Sequence, residues 1–306
     1  HRDLHSFPTR RSSDLKGATG RSIFGGFNTG TEEQPNPFVP IYMTLTAGRQ
    51  GDAMIGVEYR GNIGEQVREI SKGEYLEVNI PGNKVFWATE QTLTSGADST
   101  NYSASSNQVI KIDGKEIEIA AGDNVDIIID KINNSGVSVK ASKGGINNLI
   151  LNTTVPHQIW LEDKGSGTVL QDLGLVNKNF PQPPNNIDPT ASIGGMSIFD
   201  MMIQVRDDLV RGDQELVGGR DLGLIDGALD NILRHLAATG ARQSRADELA
   251  KRAEYEKGNI TELLAKTEGI DYPETIMNFK WLESVHDYAL SVGAKTIKST
   301  LLDFLR

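Results

Sequence analysis

From Leu222 to Leu236 the chain reads LGLIDGALDNILRHL, with Leu222, Ile225, Leu229, Ile232 and Leu236 separated by steps of three and four. A helix turns about 100° per residue, so this spacing sets all five along one side. Small or apolar residues resume the pattern at Ala246, Ala250, Ala253, Ile260 and Leu264. The seam therefore persists for about six heptads, the length of a coiled-coil-like shaft. It thins only at Thr239, Gly240, Ala241 and Gln243. A break is expected at 269–273, after which Asp271 and Glu274 stand in the D-x-x-E relation of a helix start and Pro273 occupies a position such a start tolerates. The second helix is predicted to run to the last residue. It carries Ile276, Phe279, Leu282, Ala289, Gly293, Ile297, Leu301 and Phe304 on one face and Trp281, Val285, Tyr288 and Val292 on the opposite side. A helix apolar on two faces needs burial on both. Leu302 and Leu305 add to the crowding of the last six residues, and these residues together with the first seam are the candidate assembly interface.

Upstream the pattern changes period. Residues 41–93 alternate apolar and polar in short bursts, as at Met54, Ile55, Val57 and Tyr59 and again at Tyr75, Leu76, Val78 and Ile80 before Pro81-Gly82. These are strand signals bounded by turns. Val109–Ile112, Asp113-Gly114 and Lys115–Ile119 predict a tight hairpin, since Asp-Gly supplies the positive φ that a two-residue turn needs. Asp123 is expected to cap a short helix with Val125, Ile128, Ile129 and Ile132 inward. Further strands are expected at 137–141, 149–152 and 158–161, and the Pro- and Asn-rich run NKNFPQPPNN (177–186) is expected to mark a boundary. Ser197 and Asp200 then predict a capped helix with Ile198, Met202, Val205 and Leu209 on one face, ending at Gly212. The expected fold is α+β: a long helical shaft with a β-rich outer domain.

Lys and Arg number 31 against 41 Asp and Glu, for a net charge of −10. That balance argues against nucleic acid or an anionic membrane surface as partner. No apolar run approaches the length that spans a bilayer. The absence of cysteine sets no compartment by disulfide logic. No catalytic, cofactor-binding or metal constellation is expected. His157, His235 and His286 lie in three separate segments without a second ligand at metal spacing, so each is read as a surface or interface histidine. GSGT at 165–168 lacks the lysine of a phosphate-binding loop. An enzyme carried on the outer domain finds no nucleophile or metal spacing between Gln91 and Asn186.

Several stretches resemble the bacterial flagellin family. LAATGARQSR (Leu236–Arg245) and the closing TLLDFLR (Thr300–Arg306) are similar to its C-terminal region, and IFGGF (Ile23–Phe27) to the run that opens its β part. The order from Val109 to Leu175 resembles an insert of its outer domains. REISKGEYLEVNIPGNKVF (Arg68–Phe86) and SIFDMMIQVRDDLVRGD (Ser197–Asp213) are similar to the members that join hook to filament; filament flagellin itself is the alternative. The resemblance implies a structural axial protein. It would pack in a ring of identical subunits between hook-associated protein 1 and flagellin and be delivered by a flagellar export chaperone, with no nucleic acid, membrane or cofactor. It also implies a place in the flagellum outside the cell, or in the periplasm for a spirochaete, whose branch the phrase KVFWA resembles. HSFPTRRSSDL (His5–Leu15) is what one reading frame of a common sequencing adapter encodes. Residues 1–15 are therefore expected to be an artefact and family-type N-terminal helices to be missing upstream. The expected organisation is then a β segment at 16–50, an outer domain at 51–190 with its insert at 107–176, a helical shaft at 191–268 and a terminal assembly helix at 269–306.

Overall fold

Asp113 and Gly114 both take positive φ, 50° and 81°, and the turn they make lets β6 (Gln108–Ile112) fold back on β7 (Lys115–Ile119). Alternation then does the sorting: Ile110 and Ile112 on one strand and Ile117 and Ile119 on the other face inward. The computed structural model that shows this describes residues 22–28, 36–43, 53–71, 73–269 and 271–303, with side chains as far as 296. It is an α+β structure. The chain divides into two units, His1–Ser244 and Arg245–Arg306.

In the first unit β10 (Leu161–Asp163) completes a three-stranded antiparallel sheet in the order β10-β6-β7. A second sheet runs β11-β5-β9-β8, built from β5 (Thr92–Thr94), β8 (Val139–Lys143), β9 (Leu149–Thr153) and β11 (Ser192–Gly194). Helix α2 (Val125–Asn134) packs on β8 and β7 and helix α3 (Val169–Asp172) on β10 and β6, and their apolar faces join one core with Ile110, Ile128, Leu149, Leu151 and Leu170. The cap of α2 is Asn124, which accepts from the Ile127 N–H at 3.0 Å. Asp123, the expected cap, instead accepts from the Ala120 N–H and from Lys131. The Asp123 carboxylate is held by those two donors, and the Asn124 side chain takes the first-turn amide. Val125, Ile128 and Ile132 point inward as expected.

Two small hairpins, β1 (Phe38–Met43) with β2 (Ala53–Tyr59) and β3 (Val67–Ser71) with β4 (Glu74–Glu77), precede the single-turn helix α1 (Gly82–Val85). Phe24, Phe38, Tyr59, Phe86 and Phe199 stack around α1 with ring centroids 4.9–5.5 Å apart. Position 82 must be glycine, since a Cβ there would stand 2.6 Å from the Phe38 ring and 2.8 Å from the Tyr59 ring. Helix α4 (Ile198–Arg211) starts on the Ser197 hydroxyl, which accepts from the Asp200 N–H at 3.0 Å, and stops at Gly212 with φ 74°. Its inward face is Ile198, Met201 and Asp208, with Val205 half-buried; the expected Met202 and Leu209 are exposed. The helix is rotated by about one residue because Asp208 turns inward to meet Arg220. A π-helical turn, Val217–Asp221, leads into α5 (Leu222–Glu268), and α6 (Tyr272–Asp303) begins where the Asp271 carboxylate accepts from the Glu274 N–H at 3.2 Å. Among the described residues no helix is long and apolar enough to cross a membrane.

Candidate functional site: two sides of the long helix

Helix α5 presents two stripes to two different surroundings. One holds Leu224, Ala228, Asn231 and His235 at heptad-like spacing and packs on the segment from Lys84 to Ala88. Asn231 is 2 % exposed, and its amide nitrogen lies 3.0, 3.2 and 3.0 Å from the carbonyl oxygens of Lys84, Val85 and Trp87. A four-residue helix such as α1 leaves its last carbonyls without intrahelical donors, and a side chain from elsewhere must supply them. His235 Nε2 also donates to the Lys84 carbonyl, at 3.1 Å. With a carbonyl as partner, that nitrogen carries the proton. Burial holds the His235 pKa below the usual imidazole range, the bond to Lys84 opposes the shift, and the charges of Arg234, Lys84 and Arg242 add to it. Two turns further, Arg242 pairs with Glu77 and reaches the Asn79 carbonyl at 3.5 Å.

The second stripe lies roughly 110° round the same helix, at about 100° per residue. It is the predicted seam. Leu222, Ile225, Leu229, Ile232 and Leu236 all stand exposed, Leu236 to 63 %. In the second unit Ile260 and Leu264 on α5 are exposed, and so is every described position of α6 through Val292. Among the described residues nothing covers Ile276, Phe279 and Leu282 on one face or Trp281, Val285, Tyr288 and Val292 on the other, and Trp281 is 66 % exposed. Ile297, Leu301 and Leu302 lie within α6 beyond the described side chains; Phe304 and Leu305 fall outside the described residues.

Asn231, His235 and Arg242 are the site residues that hydrophobic spacing misses. A faint signal exists: Ala228, Asn231, His235, Ala238 and Arg242 also recur at three and four. An apolar scale reads that stripe as a solvent face. His157 is a second departure, buried rather than superficial, with its ring nitrogens 2.8 Å from the Val155 carbonyl and 2.9 Å from the Asp113 carboxylate. His286 is exposed beside Asp287. Among the described residues no cluster of three or more His, Asp or Glu side chains has metal-binding geometry.

No family model matches the sequence, and no curated protein matches it. Among solved structures, the chain is similar to flagellar hook-associated protein 3 from Legionella pneumophila, with 16 % identity over 86 % of this chain and 78 % of that one and a TM-score of 0.39. It is also similar to a flagellar cap protein from Serratia marcescens, with 21 % identity over 38 % of this chain and 72 % of that one and a TM-score of 0.23.

Proposed function

We propose that this chain is a structural component of the bacterial flagellum that joins hook to filament, in the manner of hook-associated protein 3, and that it acts by packing. The observation that carries the reading is α6, a thirty-two-residue helix whose large apolar side chains from Tyr272 to Val292 lie on two sides and stand uncovered among the described residues. Such a helix is stable in water only with neighbours. The stretches Arg68–Phe86, Ser197–Asp213, Leu236–Arg245 and Thr300–Arg306, which resemble the flagellin family, support the same conclusion. In this reading copies of the chain form a ring, the exposed seam of α5 and both faces of α6 are covered by helices of the same and neighbouring subunits, and the two ends of the ring meet hook-associated protein 1 and flagellin. A flagellar export chaperone covers the same faces before secretion to the growing structure outside the cell.

Burying a large apolar side chain is worth roughly 1.5 to 3 kcal/mol, so the last turn of α6 contributes to assembly out of proportion to its length. Removing Thr300–Arg306 should leave the melting of the first unit unchanged and abolish incorporation. The test is complementation of a strain lacking the junction protein, scored by swimming and by flagellin monomer shed into the medium. A truncated protein that restores swimming at normal expression would overturn the proposal. Copy number separates the junction from the filament: a few subunits per flagellum support it, and long homopolymers of this chain contradict it.

A further inference from the structure

A cleft of about 450 Å³ opens within the first unit between the outer domain and α5. The Asp113-Gly114 hairpin turn, the turn after α2 at Gly136–Ser138 and the loop Val155–His157 form one wall; Arg234 and Ala238 of α5 form part of the other. Its charge is unusual for so acidic a chain. Lys115 and Arg234 both line it, and among the described residues neither has a carboxylate at ion-pair distance. The carboxylate on the wall is already committed. Asp113 accepts from the Trp160 N–H at 3.0 Å through one oxygen and faces His157 Nε2 at 2.9 Å through the other. Lys84, the remaining lysine of the lining, is paired with Glu65 at 2.5 Å. Arg234 makes only a long contact, 3.5 Å, to the Asn231 amide oxygen. The Lys115 ammonium sits 3.3 Å from where a Cβ on Gly136 would be, in space that a glycine leaves open. The rest of the lining is mostly apolar, with Val137, Val155, Pro156 and Ala238 beside Ser138, Asn231 and His235.

Two unneutralised cations over an apolar floor form the usual pattern of a small-ligand pocket, in which a few polar groups orient a mostly apolar body. We propose that this cleft binds a small organic anion, whose charged oxygens are held by Lys115 and Arg234 while its apolar part rests on Val137, Val155 and Pro156. A phosphate monoester and a carboxylate share that chemistry, since a guanidinium grips either through paired N–H donors and an ammonium adds a point charge. The site is separate from the exposed seam of α5 and does not depend on assembly.

Calorimetric titration of the full chain tests it, with phenyl phosphate and benzoate as probes and benzyl alcohol as the uncharged control. One-site binding of either anion, absent for the alcohol and weakened by salt, supports the proposal; the tighter of the two identifies the head group. Arg234→Gln and Lys115→Gln should each weaken binding about tenfold, the loss of one charge-assisted hydrogen bond. Arg252→Gln, at an exposed position paired with Glu256, should change nothing. Ring-proton shifts of His157 and His235, both in the cleft lining, should follow the titration in the unaltered protein, which keeps the test valid even where a variant folds poorly. Absence of binding at millimolar ligand, equal affinity for inorganic phosphate and phenyl phosphate, or wild-type affinity in both glutamine variants would each overturn it.

Discussion

The core around α2 and the faces of α6 are about equally rich in large apolar residues, yet one is closed and the other open. Ile110, Ile128, Leu149 and Leu170 lose all contact with water inside a segment of fewer than a hundred residues, because two sheets and two short helices turn their inner faces on one another. Phe279, Trp281, Leu282 and Val285 have no such partners among the described residues. Apolar periodicity states that a face will be buried. It does not state by which molecule, and that second fact depends on whether the topology returns an element to the face.

The difference can be broken most forcefully by truncating side chains on each side of it. Ile128→Ala removes a fully buried side chain and should cost about 2 to 5 kcal/mol. Phe279→Ala in the isolated chain should fall within about 0.5 kcal/mol of no change, as for surface substitutions. Urea unfolding followed by circular dichroism reads both, and equal losses would mean that α6 is packed in the monomer. Amide exchange gives the same contrast without mutation. Exchange should be slow across 109–176 and fast across 272–303 in a verified monomer, because burial is what offsets an ordering cost of about 1 to 2 kcal/mol per residue.

Smaller effects belong to the stripe where α5 is held. Asn231→Ala leaves the carbonyls of Val85 and Trp87 without this donor and that of Lys84 with His235 alone, and should cost about 1 to 3 kcal/mol. Only the unfolding of the first unit should register it. His235 adds a pH dependence whose direction follows from its lowered pKa. The unfolded chain takes up a proton at about the ordinary value of 6.5, whereas the folded chain resists until lower pH, so stability is fully present above 6.5 and declines as pH falls below it. The urea midpoint should drop between pH 8 and pH 5.5 by more in the parent than in His235→Gln. The smallest change is at Gly240, where an added Cβ meets nothing within 4 Å. Gly240→Ala should stabilise the isolated helix by up to about 1 kcal/mol. Loss of assembly in that variant would show that another backbone approaches there.

Much of this architecture was legible in the sequence, and the reasons differ by element. The Asp113-Gly114 hairpin and the Ser197 and Asp271 caps are local, so a few residues specify them. The break between α5 and α6 is legible for the same reason; the expected end of α6 at the last residue lies outside the described residues. The side of α5 that meets the outer domain was not, since Asn231, His235 and Arg242 find backbone carbonyls and a carboxylate some 150 residues away in sequence. No scale of side-chain hydrophobicity registers a carbonyl. The facing of α4 was missed similarly: Met201 and Asp208 are inward only because Arg220 waits beyond the next turn. His157 looked superficial for want of any hint that Asp113, in a turn residue's role, would also receive its ring.

The amide of Asn231 also makes the long helix a lever. It stands roughly 6 Å from the helix axis, so turning α5 by about 20° would carry it about 2 Å and strip it from the carbonyls it serves. The outer domain therefore cannot stay still while α5 rolls; it must follow or let go. A roll of α5 would in this way appear as a tilt of the β domain, transmitted through Asn231 and its three peptide oxygens together with His235 and Arg242.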